Sequence, residues 1–185
     1  MKVGNGFEKS DVGPLISEKA IKKIKNHIDD ALSKGGEILI GGKKSKIGKL
    51  FFEPTIVTNI NKSMKIFSNE NFGPIIPVIK FKSDDELIQL ANDTNYGLAA
   101  YFYTKKASRV WKIIENLEYG MLGINSGKIS SYLNPFGGLK ESGVGREGSI
   151  QCLEPFLETK FVSWSYDDWK KIWFFCYWWR GRWCT

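Results

Sequence analysis

Histidine occurs once in these 185 residues and cysteine three times, and Arg109, Arg146, Arg180 and Arg182 are all the arginines. Each scarcity excludes something. His27 has no second histidine and no cysteine near it in sequence, so no metal site is expected; a surface or half-buried imidazole is the plainer reading. Cys152, Cys176 and Cys184 are an odd number without framework spacing, which argues against a disulfide-stapled secreted scaffold and for a reducing compartment. There is no apolar N-terminal stretch of the secretory kind, and a cytoplasmic location is expected. The apolar run Ile172 to Trp179 is eight residues long, far short of the ~20 that a spanning helix needs, so no membrane span is expected.

The net charge of +7 and the pI near 9.2 come almost wholly from lysine. Those lysines are spread along the chain beside acids. Nucleic-acid recognition favours a clustered basic face, often with arginine, so no nucleic-acid partner is expected.

Against these scarcities stand 19 glycines, five of which crowd the stretch Pro135-Phe136-Gly137-Gly138-Leu139-Lys140-Glu141-Ser142-Gly143-Val144-Gly145-Arg146-Glu147-Gly148 around Lys140, Ser142 and Arg146. Glycine inside a packed element costs about 0.5–1 kcal/mol, so the pattern marks positive φ or close backbone approach. Its tail spells Gly143-x-Gly145-x-x-Gly148, but that fingerprint holds dinucleotides only after a strand and at the opening of a βαβ helix. The preceding residues make no strand, and a tight loop leading into a helix is expected instead.

Elsewhere the periodicity alternates between strand and helix. Residues 18–34 read as an amphipathic helix capped by Ser17, with Ile21, Ile24, Ile28, Ala31 and Leu32 on one stripe, His27 beside it and Gly35-Gly36 as the stop. Short strands follow at 38–40 and 53–58, then one over 75–81. Ser83-Asp84-Asp85-Glu86 is a capping box that opens a helix with Leu87, Ile88, Leu90 and Ala91. A strand over 98–103, a helix over 106–117 burying Val110, Trp111, Ile113, Ile114 and Leu117, and a strand over 121–125 come next. A helix over 146–154 that breaks near Pro155 and a last strand over 158–164 complete an α/β pattern of a layered sheet with flanking helices.

The glycine-rich segment resembles the C-terminal signature of the NAD(P)-dependent aldehyde dehydrogenases. Asn69-Glu70-Asn71-Phe72-Gly73-Pro74-Ile75-Ile76-Pro77-Val78 is similar to another block of that family. So are Val3-Gly4-Asn5-Gly6, Gly13-Pro14-Leu15-Ile16, Phe52-Glu53-Pro54-Thr55 and Tyr96-Gly97-Leu98-Ala99, all in the expected order. Gly123-Ile124-Asn125-Ser126-Gly127-Lys128-Ile129-Ser130 looks most like the succinate-semialdehyde group.

The resemblance implies a partial catalytic domain over 1–165 that ends in an oligomerisation strand and lacks the N-terminal Rossmann domain, followed by an atypical tryptophan-rich tail over 166–185. It implies NAD or NADP as cofactor, a small aldehyde as substrate, and association with copies of itself or with full-length subunits. Glu70 matches the glutamate that bonds the ribose hydroxyls beside the nicotinamide, a task suited to a group that accepts two hydrogen bonds at once. Phe72 matches the aromatic that packs against that end of the cofactor. Ser130 matches a position at the substrate mouth that helps hold a distal carboxylate, and Phe136 matches a pocket wall. Lys140, Ser142 and Arg146 are read as loop scaffolding, with Arg146 on carbonyls or a carboxylate.

Family members attack the aldehyde with a cysteine thiolate and hydrolyse the thioester with a glutamate base. No cysteine here stands in that context, so no catalytic residue is expected and the chain alone should be inactive. The alternative is a non-catalytic truncated subunit that associates with a full-length dehydrogenase. The tail holds Trp169, Trp173, Trp178, Trp179 and Trp183 between Lys170, Lys171, Arg180 and Arg182; it reads as an unselected extension, with an interfacial anchor as the other reading.

Overall fold

The computed structural model describes residues 1–164, together with the backbone of two short strands, Cys176–Trp178 and Arg182–Cys184, paired antiparallel. The remaining expectations for the tail, anchor or extension, lie outside the described residues.

The first half is built on one helix. Ser17 accepts a hydrogen bond from the Ala20 amide at 3.3 Å and opens α1, Glu18–Ser33. Residues spaced three and four apart share a helix face, and Ile21, Ile24, His27, Ile28 and Ala31 are all buried on it. The helix stops where the Gly36 amide returns to the Ala31 carbonyl at 2.8 Å, with Gly35 at φ +92°, as expected of a glycine terminator. His27 departs from expectation. It is only 4% exposed, on the stripe itself rather than beside it.

Strand β1, Glu37–Ile40, pairs antiparallel with β2, Thr55–Thr58, and β2 pairs parallel with β3, Ile75–Pro77. A short helix α2, Lys65–Ser68, lies between β2 and β3 and packs on α1. Phe52, Val57, Ile60, Met64, Ile66 and Ile75 meet the apolar face of α1 in a single core. β3 ends four residues before expectation, because β2 turns away at Asn59, where φ is +56°, and leaves nothing further to pair with.

The second half is thinner. Helix α3, Asp84–Asn92, is capped as predicted by Ser83, which accepts from the Glu86 amide at 3.2 Å. The Glu86 carboxylate, however, accepts from the Lys82 amide at 2.6 Å, one residue before the capping serine. Strands β4, Tyr96–Gly97, and β5, Ala99–Phe102, precede helix α4, Ala107–Asn116; β6, Met121–Ile124, then pairs parallel with β5, and β7, Leu139–Lys140, antiparallel with β4. Of the five apolar residues expected on the buried face of α4, only Ile113 is fully buried, while Trp111 is 63% exposed. A two-stranded sheet is too narrow to cover both. Arg109 of α4 instead bonds Asp84 of α3 through Nε at 2.7 Å and ties the two helices at their ends.

Past the glycine loop, the helix expected over 146–154 is a 3-10 helix, Ile150–Phe156, that contains Pro155. Gly148 and Ser149 stand at φ +62° and +53°, so right-handed turns cannot begin before residue 150. The strand expected over 158–164 is not formed; Phe161 is 88% and Val162 70% exposed. The class is α/β, with separate three- and two-stranded sheets among the described residues rather than one continuous layer.

Truncating the centre of the α1 stripe should show where stability resides. Ile24→Ala is expected to lower the unfolding free energy by about 2–5 kcal/mol, whereas Ile40→Ala, at a 58% exposed position, should stay within about 0.5 kcal/mol of the parent in equilibrium urea denaturation.

Candidate functional site

The loop from Asn69 to Pro74 links α2 to β3, and both ends are fixed. The Asn69 amide closes α2 onto the Lys65 carbonyl at 2.9 Å, and the Pro74 carbonyl accepts from the Thr55 amide at 2.8 Å. Within it the Asn71 side chain spans two elements: its Oδ1 lies 2.8 Å from His27 Nδ1 on α1, and its Nδ2 donates to the Ile66 carbonyl of α2 at 3.3 Å. Gly73 lies directly against α1. A Cβ there would meet Ile24 Cδ1, so a larger residue would have to push that buried side chain aside.

Between these contacts Phe72 is held at φ +34°, with its ring 80% exposed. A non-glycine residue in that region costs on the order of 1–3 kcal/mol, and such strain persists only where the surroundings impose it. The loop therefore presents an aromatic face and, one residue before Asn71, the exposed Glu70 carboxylate. Phe72 borders an open groove of about 870 Å³ whose other walls include His27, Asn71 and the lysines Lys19, Lys22, Lys23 and Lys65. The groove suits a ligand with a flat ring on Phe72 and negative charge near the lysines, while Glu70, outside the groove's lining, offers acceptors to hydroxyls from the loop beside it.

The other two expected residues lie elsewhere. Ser130 is exposed on the wall of a cavity of about 520 Å³ shared with Met121, Lys128, Ser131 and Asn134. Phe136, half-buried, lines a third cavity of about 540 Å³ formed by the glycine loop with Arg146, Cys152, Pro155 and Phe156. Glu70 and Phe72 thus share a loop, while Ser130 and Phe136 open on separate hollows. Lys128 in the Ser130 cavity was missed by motif reading, because its residue type departs from no local rule. Among the described residues no group of three histidine, cysteine, aspartate or glutamate side chains could hold a metal ion.

The glycine loop is scaffolding in detail. Gly143, Gly145 and Gly148 all stand at positive φ. Arg146 donates from Nη1 to the Gly138 and Gly145 carbonyls at 3.0 and 2.6 Å, and Ser142 Oγ accepts from the Gly97 amide at 2.9 Å. Lys140 Nζ reaches the Asn92 and Thr94 carbonyls at 2.9 and 3.0 Å and pairs with the Glu118 carboxylate at 2.5 Å. Beside it, burial pushes the Tyr119 phenol above its ordinary value, an effect that Lys140 partly opposes. Its hydroxyl donates to the Ala91 carbonyl at 2.7 Å.

The model of the aldehyde dehydrogenase family matches residues 1–162. A mitochondrial succinate-semialdehyde dehydrogenase of Oryza sativa subsp. japonica is 49% identical over 163 residues, covering 88% of this chain and 31% of that protein. The crystal structure of succinate-semialdehyde dehydrogenase from Burkholderia pseudomallei superposes with a TM-score of 0.80 at 50% identity, covering 83% of this chain and 32% of that one. An aldehyde dehydrogenase from Brucella melitensis biovar abortus 2308 gives a TM-score of 0.82 at 52% identity, covering 88% and 33%. This chain therefore belongs to the aldehyde dehydrogenase family, which uses NAD or NADP. It spans about a third of the length of the curated relatives it matches.

One carboxylate supports the loop from behind. Asp30 Oδ1 pairs with Lys34 Nζ at 2.8 Å, and Oδ2 accepts from the Lys65 amide at 2.7 Å, capping the start of α2, whose own N-cap Met64 offers no side-chain acceptor. The Lys34 hydrogen bond and then the Lys65 amide hold the Asp30 carboxyl below its ordinary value of 3.8. A depressed carboxylate stabilises the fold at pH above its unfolded value and loses that contribution as pH falls through the folded one. Acid titration of the urea midpoint should accordingly fall below pH 3.8, and Asp30→Asn should flatten that limb.

Proposed function

We propose that this chain forms the C-terminal part of the catalytic domain of an NAD(P)-dependent aldehyde dehydrogenase that oxidises succinate semialdehyde to the carboxylic acid. The observation that carries the reading is the Asn69–Pro74 loop, which presents Phe72 at φ +34° and 80% exposed beside Glu70. Glu70 would accept hydrogen bonds from the ribose hydroxyls, and Phe72 would pack on the nicotinamide end of the cofactor. NAD(P) supplies the hydride acceptor. Identity of about 49% to curated succinate-semialdehyde dehydrogenases supports the substrate class.

Ser130 is assigned to the substrate mouth and Phe136 to its wall. A single neutral hydroxyl bonds a carboxylate without neutralising it, and Lys128 in the same cavity adds a positive charge of the right sign. The 185 residues by themselves carry out no turnover in this reading. Cys152 is half-buried against the glycine loop, in a cavity that His27 does not line, and a thiolate nucleophile needs a paired base or a lowered pKa. Residues 1–165 form the catalytic segment and 166–185 a tail outside it, and the location is cytoplasmic.

The exposed segment 157–164, with Leu157 67%, Phe161 88% and Val162 70% exposed, favours a second role. An exposed apolar stretch such as Leu157, Phe161 and Val162 suits strand addition to another subunit, so the chain would associate with copies of itself or act as a non-catalytic subunit of a full-length dehydrogenase.

Fluorescence titration with NADH and NADPH tests the cofactor surface. Glu70→Gln and Phe72→Ala should each weaken binding about tenfold, the scale of a lost charge-assisted hydrogen bond or ring contact. Affinity unchanged in both variants would sink the assignment. Incubated alone with succinate semialdehyde and NAD(P), the chain should form no reduced cofactor. Co-purification with an intact dehydrogenase that disappears on Phe161→Lys would support the second role.

A further inference from the structure

The Asn69–Phe72 loop is clamped to α1 at two points one helical turn apart. Ile24 and His27 lie three positions apart on the same buried face. The backbone of Gly73 rests on Ile24, and the Asn71 side chain meets the His27 ring. Phe72 lies between the two contacts. Among the described residues neither Glu70 nor Phe72 makes a side-chain hydrogen bond that would fix it otherwise, and both face solvent.

The His27 clamp is directional. Asn71 donates from Nδ2 to the Ile66 carbonyl, so its Oδ1 is the atom presented to the ring, and His27 Nδ1 must be the donor. This places a proton on Nδ1 of a ring that walls the groove beside Phe72. A buried imidazole, 4% exposed, strongly favours keeping this bond, because an unpaired buried polar group is costly. The bond is thus imposed from the core side and felt by the loop.

We propose that His27 is a positioning residue for a nicotinamide cofactor: through Asn71 it holds the loop in the conformation that presents Glu70 and Phe72. It touches no reacting atom. This inference rests on the cofactor reading of Glu70 and Phe72, and its test separates the two.

The test compares the full 185-residue chain with His27→Leu, which keeps an apolar side chain of buried character, and His27→Asn, whose amide nitrogen can take the place of Nδ1. Loop order is read from the backbone amide resonances of Glu70 to Gly73 in nitrogen-15 correlation spectra, and the tautomer from the imidazole nitrogens. NADH affinity is read by fluorescence. The parent should show protonated Nδ1. His27→Leu should shift or broaden the loop amides while leaving those of β1 and β2 in place, and should weaken NADH about tenfold, equivalent to about 1.4 kcal/mol. His27→Asn should restore both.

A His27→Leu chain with parental loop amides and parental NADH affinity overturns the inference. If His27→Leu fails to fold, His27→Asn decides: parental loop resonances uphold the clamp, and a folded variant with a disordered loop refutes it. A parent that orders its loop through His27 yet binds no NADH keeps the positioning contact and removes the cofactor reading instead.

Discussion

One face of α1, from Ile21 to Ala31, is sealed against Phe52, Val57, Met64, Ile66 and Ile75, and this burial supports everything in the first half of the chain. Burying a side chain of this size contributes about 1.5–3 kcal/mol, and the stripe supplies several within one continuous cluster. Because α1 is fixed, the backbone of Gly73 can lie on Ile24 and Asn71 can find His27. Because those contacts exist, Phe72 can be held in a backbone conformation that it would otherwise leave. The exposed aromatic and the buried isoleucine are therefore parts of one arrangement: apolar packing on the inside sets the geometry of a polar surface on the outside.

The second half is held differently. Ile113 is its one fully buried hydrophobic among the described residues, and hydrogen bonds carry much of its organisation. Lys140 joins the α3 end, at Asn92 and Thr94, to Glu118; Ser142 anchors β4; Arg146 ties the glycine loop to itself. Half-exposed hydrogen bonds are each worth about 1 kcal/mol net, and a region built on them depends on cover from elsewhere. Tyr101, Trp111, Phe156 and Phe161 remain between 47% and 88% exposed. Exposed apolar surface of this kind is suited to burial against another chain, and the proposed association rests on that property.

Helix existence was the most legible part of the fold. α1 and α3 follow their periodic stripes and serine caps to within a residue, since caps and stripes are local. Strand ends were less legible, as β3 shows: it stops where β2 stops, and a partner's turn cannot be read from the strand's own residues. The 3-10 helix at Ile150 depends on Gly148 and Ser149 both reversing φ, and motif spacing marks only the glycine. In the candidate site, Glu70 and Phe72 could be proposed from sequence because they lie two residues apart in one motif block. His27 was placed beside the stripe rather than on it, since its partner Asn71 is 44 positions away and no local pattern joins them.

The amino-acid order by itself determined the α/β alternation, the helix starts and the family, because capping, periodicity and glycine spacing act over a few residues. It also marked the four candidate contact positions. Only the tertiary structure decided that Phe72 stands exposed at positive φ, that Ser130 and Phe136 open on different cavities, and that the single histidine is buried against the Asn69–Pro74 loop. Those outcomes depend on which distant surfaces meet, and a contact between α1 and a loop some forty residues later is set by the packing of the whole core between them.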